Sequence, residues 1–82
     1  MTDKTDQLIQ AARSSWCRAF EIDQVSDDQN FFALGGDSLA ALGIALEVEE
    51  ALQMPVDAAD LFEAGNFGDF VELLRRRMRE RE

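Results

Sequence analysis

Apolar residues recur every three or four positions in three separate segments of this sequence, whereas no segment alternates between apolar and polar residues over a useful length. This spacing is typical of amphipathic helices, because side chains three or four residues apart lie on the same helical face. With 82 residues, the chain has room for one small domain. We therefore expect a single all-α domain over residues 1–82, a small bundle of three main helices plus one short helix.

Caps and helix breakers predict where these helices begin and end. The first helix is expected over residues 5–20, where Leu8, Ala12 and Trp16 form an apolar stripe. Asp37 is suited to cap a second helix, which should run to about residue 53 before Pro55 ends it. A short helical turn is expected over residues 58–63, followed by a last helix whose cap is an asparagine at position 66.

Residues 21–37 mix Asp, Ser, Gln and Asn with scattered apolar side chains and end in two glycines. This composition predicts a long loop that is held to the core by apolar anchors. The expected anchors are Ile22, Val25, Phe31, Phe32 and Leu34. Loops of this length inside a small domain are usually functional.

The predicted second helix has two apolar faces when its residues are placed about 100° apart. The face expected to enter the core contains Ala41, Ile44, Ala45, Val48 and Leu52. A separate sector begins with Ser38 and contains Leu39, Leu42, Leu46 and Glu49. An exposed apolar strip often marks a partner contact, so these leucines predict a recognition surface. The alternative is that the long loop folds back and buries them.

The charge pattern is strongly asymmetric, with a formal net charge of -9 and every Lys and Arg at or before Arg18 or at or after Arg75. The acidic middle should repel nucleic acid and attract basic protein surfaces, although solubility alone also explains it. The arginines at 75–79 suit the negative end of a helix dipole, with a docking patch as the alternative. No apolar run approaches the roughly 20 residues of a membrane span. We expect a cytoplasmic monomer that binds neither nucleic acid nor membrane.

Ser38 follows Gly35-Gly36 at a predicted helix start, which raises the question of a catalytic nucleophile. The sequence contains no His and has Lys4 as its only lysine, so no base is available to activate the hydroxyl. With a single Cys and no calcium-loop spacing, no metal site is expected either. We predict no catalytic residue and no metal ligand. A hydroxyl at a helix start is suited to carry a phosphodiester, although most serines there are caps or simply tolerated.

The run Asn30-Phe31-Phe32-Ala33-Leu34-Gly35-Gly36-Asp37-Ser38-Leu39 closely resembles the signature of phosphopantetheine-dependent carrier proteins, the acyl and peptidyl carrier family. The resemblance extends over nearly the whole chain and implies an acyl-carrier-protein-like fold. It also implies that a phosphopantetheinyl transferase attaches 4'-phosphopantetheine from coenzyme A to Ser38. The arm would then carry an acyl or aminoacyl thioester, with Gly36, Asp37 and Leu39 adjacent to it.

The resemblance implies a carrier that performs no chemistry itself and serves a polyketide or nonribosomal peptide pathway. The Gly-Gly-Asp-Ser-Leu form is more similar to carriers of nonribosomal peptides, whereas the acids of the second helix are similar to those of discrete carriers. The implied partners are the transferase, an adenylating ligase or acyltransferase that loads the cargo, and downstream synthases or transferases. The expected partner-binding residues are Leu39, Leu42, Leu46, Glu47, Glu49 and Glu50.

One question of organisation and two alternative functions remain open at this point. The chain is either a stand-alone protein, as Met1 and the charged tail suggest, or a domain of a larger synthase. A non-catalytic acidic helical interaction domain without an arm would leave Ser38 as an ordinary helix-start residue. A small hydrolase would have to act in the absence of an evident base.

Overall fold

The computed structural model describes residues 3–81 and contains four helices. They are α1 (Lys4–Phe20), α2 (Ser38–Leu52), α3 (Ala58–Ala64) and α4 (Phe67–Arg81). Over the described residues the only extended pairing is an isolated bridge between Asn30 and Asn66. The predicted all-α bundle of three main helices and one short helix is confirmed.

Short polar side chains begin the helices at the predicted positions. Asp37 has extended backbone geometry, and its Oδ1 accepts a hydrogen bond of 2.9 Å from the N–H of Ala40. Asn66 Oδ1 accepts a bond of 2.8 Å from the N–H of Asp69 in the same way. Each cap satisfies an N–H group that has no partner within its own helix.

Aromatic rings fill the centre of the core. Trp16 is 0% exposed and makes edge-on contacts with Phe20, Phe31 and Phe67, at centroid distances of 5.8, 5.7 and 5.3 Å. The predicted core face of α2 is confirmed by four buried residues, Ala41, Ile44, Ala45 and Val48, whereas Leu52 is only partly buried. These contacts fix α2, and therefore Ser38, against α1 and the loop.

The long loop is anchored by fewer side chains than the sequence predicts. Val25 and Phe31 are buried, and Ile22 and Leu34 pack partly against the core. The prediction for Phe32 is wrong, because this ring is 52% exposed. Phe31 and Phe32 are consecutive, and the buried ring of Phe31 leaves its neighbour on the outside.

Backbone hydrogen bonds supply the rest of the anchoring by joining the loop to the turn after α3 and to the first residues of α4. The bonds run from Phe31 N–H to Gly65 O (2.7 Å), from Phe67 N–H to Gln29 O (3.0 Å) and from Gly68 N–H to Asp27 O (2.9 Å). The loop therefore has a defined course although it contains no helix and its only extended pairing is the bridge at Asn30.

An ion pair with a buried carboxylate joins α3 to α4. Asp60 is 6% exposed and accepts two hydrogen bonds from Arg77, of 2.6 and 3.2 Å. Arg77 also donates to the carbonyl of Pro55, at 3.1 Å. Burial alone would raise the pKa of Asp60, but the hydrogen bond from Arg77, a backbone N–H and the arginine charge outweigh burial and lower that pKa. For Arg77, the helix-dipole explanation is therefore incomplete.

Candidate attachment site at Ser38

Ser38 is the first residue of α2 and is exposed. The preceding Asp37 uses its carboxylate to hold the N–H of Ala40 and its carbonyl to hold the N–H of Ala41. The N–H groups of Ser38 and Leu39 belong to the first turn, where a helix offers no internal acceptor. An anionic phosphodiester on the Ser38 hydroxyl would be stabilised by these donors and by the positive end of the helix dipole. The chemistry of this helix start therefore fits a phosphopantetheine group.

The chain enters α2 through a tight turn. Gly35 has a φ of 95°, a left-handed conformation that glycine adopts without the strain of a side chain. Its N–H donates to Phe32 O at 3.0 Å, and the N–H of Gly36 donates to Phe31 O at 2.9 Å. The double glycine thus lies in the turn that leads the chain from the buried Phe31 to the exposed Ser38.

The three predicted leucines form an exposed strip on α2. Leu39 is 77%, Leu42 49% and Leu46 56% exposed, so the loop does not bury them. The strip begins next to Ser38 and continues along two turns of the helix. The exposure of the leucines is confirmed, and the alternative of burial under the loop is wrong.

Two exposed aromatic rings lie outside this strip, and the sequence reasoning did not assign them to the surface. Phe32 from the loop stacks on Phe62 from α3, with ring centroids 5.9 Å apart and an interplanar angle of 18°. Phe62 is 39% exposed, and both rings pack edge-on against the buried Phe31. The consecutive phenylalanines at 31 and 32 are the sequence feature that could have indicated an exposed ring, since one of the two is buried and the other is not.

The three glutamates predicted to bind partners have different environments. Glu47 is partly buried and pairs with Arg18 of α1 at 3.2 Å. Glu49 Oε1 accepts the N–H of Val56 at 2.9 Å and so helps to hold the turn after α2. Glu50 is exposed. The charges of Glu47 and Glu49 are therefore already engaged within the domain, whereas the Glu50 carboxylate faces solvent.

Over residues 3–81, no helix combines the length and the apolar character that a membrane crossing requires.

Comparisons with known proteins match most of the chain. The family model described as a phosphopantetheine attachment site, PP-binding, matches residues 10–74. The cytosolic 10-formyltetrahydrofolate dehydrogenase of Mus musculus is 32% identical over 81 residues, which make up 96% of this chain and 9% of that protein. The nonribosomal peptide synthetase gloA of Glarea lozoyensis is 30% identical over 73 residues, 87% of this chain and 1% of that protein. The chain thus spans less than a tenth of the length of these relatives.

A solved structure has the same fold. BlmI, a type-II acyl-carrier-protein from Streptomyces verticillus involved in bleomycin biosynthesis, superposes with a TM-score of 0.82 at 23% identity. The superposition covers 92% of this chain and 90% of BlmI. The helical order described above is therefore that of a known carrier protein.

Proposed function

Because this chain belongs to the phosphopantetheine attachment site family of acyl and peptidyl carrier proteins, we propose that the hydroxyl of Ser38 is the attachment point of its arm. The chain is a carrier domain of the polyketide and nonribosomal peptide synthase type, and its cofactor is covalent 4'-phosphopantetheine. Members of this family carry cargo rather than catalyse. The observation that supports Ser38 most directly is its position as the exposed first residue of a capped helix inside the matched segment.

Each part of the helix start has a separate task in this proposal. When attached, the arm supplies a terminal thiol that holds an acyl or aminoacyl group as a thioester. Asp37 keeps the first turn of α2 formed, since its carboxylate holds the N–H of Ala40. The free N–H groups of the first turn stabilise the phosphodiester charge. Gly36 and Leu39 complete the immediate surroundings of Ser38.

We propose that partner enzymes dock on the surface formed by the leucine strip and the Phe32–Phe62 pair. The strip consists of exposed side chains, and the two stacked rings add apolar area on the loop and on α3. A small surface of this kind suits short encounters, because a carrier must leave each enzyme after the transfer. Of the predicted glutamates, the exposed Glu50 is best placed to attract a basic partner. Glu47 and Glu49 add negative charge to the same helix while they keep their contacts with Arg18 and with the N–H of Val56.

The proposed partners are a phosphopantetheinyl transferase, an adenylating ligase or acyltransferase that loads the thiol, and downstream synthases or transferases. Membership of the carrier family supports enzymes of these classes. The cytoplasmic location, the monomeric state, the absence of nucleic-acid or membrane partners and the single domain over residues 1–82 stay predictions of the sequence.

The test is the intact mass of the protein after incubation with coenzyme A, magnesium and a broad-specificity phosphopantetheinyl transferase. We expect one 4'-phosphopantetheine adduct on the wild type and on Ser14→Ala, which removes an exposed serine of α1. Ser38→Ala should gain no adduct. An adduct that persists on Ser38→Ala would move the attachment to another residue. A folded wild type that several transferases leave unmodified would instead favour the acidic interaction domain without an arm.

A further inference from the structure

We infer that Gly36 is a positioning residue: its contact with the ring of Phe31 sets where Ser38 lies relative to the core, and thereby the rate of arm transfer. The inference rests on the proposed attachment at Ser38. Glycine is usually required for its backbone freedom. At position 36 it is required because the ring of Phe31 fills the space that a Cβ atom would occupy.

The backbone of Gly36 lies directly against the Phe31 ring. A Cβ atom at position 36 would be 2.5 Å from Phe31 Cε2 and 2.6 Å from both Cδ2 and Cζ. Carbon atoms in contact are normally about 3.5–4.0 Å apart. Either the ring or the backbone at position 36 would therefore have to move by roughly 1 Å to admit a methyl group.

The ring is held too firmly to be the part that moves. Phe31 is 0% exposed, and its ring packs edge-on against Trp16 and Phe20 at 5.7 and 5.6 Å. Its N–H donates to the carbonyl of Gly65 at 2.7 Å, which fixes the backbone as well. Closely packed interiors resist such shifts. The displacement would therefore occur in the turn, two residues before Ser38.

A shift of this size at Ser38 matters because the transferase must align the hydroxyl with the phosphate of coenzyme A that it attacks. The new serine–phosphate bond replaces the bond to adenosine 3',5'-bisphosphate, which leaves. Misplacement of a reacting group by about 1 Å can lower a rate by about a hundredfold. The body of α2 is held separately by its buried residues Ala41 and Ile44. We therefore expect the methyl group to displace the start of α2 while the bundle stays folded.

The adjacent Gly35 provides a matched control. It has a φ of 95°, but a Cβ atom there would meet nothing within 4 Å. An alanine at position 35 is therefore strained by its backbone conformation and does not touch Phe31. Removal of the Phe31 ring should restore the transfer rate of a variant with alanine at position 36. It should not restore the rate of a variant with alanine at position 35.

The experiment measures kcat and KM for phosphopantetheine transfer on Gly36→Ala and Gly35→Ala, each with and without Phe31→Leu. Leucine lacks the Cε2 and Cζ atoms of the ring, and its branch can rotate away from position 36. Thermal unfolding of each variant sets an assay temperature at which it is folded. We expect Gly36→Ala to lower kcat/KM by about ten- to a hundredfold, mainly through kcat. The double variant Phe31→Leu/Gly36→Ala should recover to the level of Phe31→Leu alone, whereas Phe31→Leu should not restore Gly35→Ala.

Wild-type kcat in a folded Gly36→Ala, or no recovery in the double variant, would overturn the inference. If Gly36→Ala does not fold, Phe31→Leu alone decides the question, since it removes the same contact from the other side. A several-fold lower kcat in that folded variant supports the positioning role, and an unchanged kcat overturns it. Modification of the wild type but not of Ser38→Ala keeps these outcomes separate from a failure of the proposed function.

Discussion

At the scale of single residues, Asp37 has two roles that substitutions can test separately. Its carboxylate caps α2 through the N–H of Ala40, and its charge lies next to the proposed attachment serine. Asparagine accepts the same hydrogen bond without the charge, whereas alanine does neither. The two substitutions therefore distinguish the contribution of the cap from that of the charge.

We predict that Asp37→Ala lowers the free energy of unfolding by about 1 kcal/mol, because the N–H of Ala40 loses its acceptor. Asp37→Asn should lower it by only a few tenths of a kcal/mol, about the loss of a charge at a helix N-terminus. Urea unfolding followed by circular dichroism measures both. Equal losses in the two variants would show that the charge, and not the hydrogen bond, stabilises the helix start.

Residues whose role depends on neighbours in sequence were predictable, and residues whose role depends on distant partners were not. The caps at Asp37 and Asn66 follow from local rules, because each accepts from an N–H three residues later. The pairing of Asp60 with Arg77 depends on how α3 crosses α4, which no local pattern specifies. The surface position of Phe32 likewise depends on the burial of Phe31 against Trp16.

At the scale of helices, Arg77 joins three parts of the chain. It pairs with Asp60 on α3 and donates to the carbonyl of Pro55 in the turn that follows α2. Loss of its guanidinium would leave the buried carboxylate of Asp60 with the N–H of Asp57 as its remaining donor, which is costly because a buried charge needs a compensating partner. The exposed Arg76 on the same helix has no such burial.

We predict that Arg77→Gln lowers the free energy of unfolding at neutral pH by about 2 kcal/mol, whereas Arg76→Gln changes it by less than about 0.5 kcal/mol. Urea unfolding of both variants and the wild type provides the comparison. If both variants lose the same stability, the general charge of α4 would account for the effect in place of the specific pair.

The same pair makes a prediction for acid pH. The pKa of Asp60 is lowered in the folded protein, so its pairing stabilises the fold fully above the unfolded pKa of about 3.9. This stabilisation is lost as the pH falls through the lower folded pKa. The difference in stability between wild type and Arg77→Gln should therefore be complete at pH 7. It should shrink as the pH falls through the pKa of Asp60 in the folded variant and then through its lower value in the folded wild type. A difference that stays constant down to acid unfolding would contradict this assignment.

The leucine strip is the element-scale feature that sequence periodicity predicted best. Helical geometry assigned the faces of α2 correctly, because the rotation per residue is nearly constant over its length. The same periodicity did not predict the Phe32–Phe62 pair, since one ring comes from the loop and the other from a helix of only 7 residues. A surface assembled from several elements requires the tertiary structure.

We predict that Leu42→Gln raises the KM of the transferase for the carrier several-fold, because it removes an apolar contact of the docking surface. The helical circular dichroism should stay unchanged, because the side chain is 49% exposed. Ala51→Gln is the control, since Ala51 is an exposed residue of α2 outside the strip. Its KM should equal that of the wild type. A KM that responds equally to both substitutions, or to neither, would remove the strip from the docking surface.

At the scale of the whole molecule, charge and size together determine how a partner approaches. The net charge is -9, and the structure measures 33 × 24 × 20 Å, only a few times the Debye length of about 10 Å at 0.1 M salt. A partner therefore responds mainly to the nearest face of the domain. Arg18 neutralises part of the α2 charge through Glu47, while Glu50 stays exposed next to the strip.

We predict that the KM of the transferase for the carrier rises with salt, whereas kcat stays constant. Screening weakens the attraction between the two proteins but does not alter the chemical step. Glu50→Gln should raise the KM at low salt and reduce its salt dependence. Glu80→Gln removes the same unit of charge from α4, amid arginines, and should have a smaller effect. Equal effects of the two variants would mean that net charge alone steers the encounter, and a KM independent of salt would exclude steering altogether. A larger effect at Glu50 places the attraction at the docking surface, where it would orient Ser38 toward the enzyme as well as accelerate the approach.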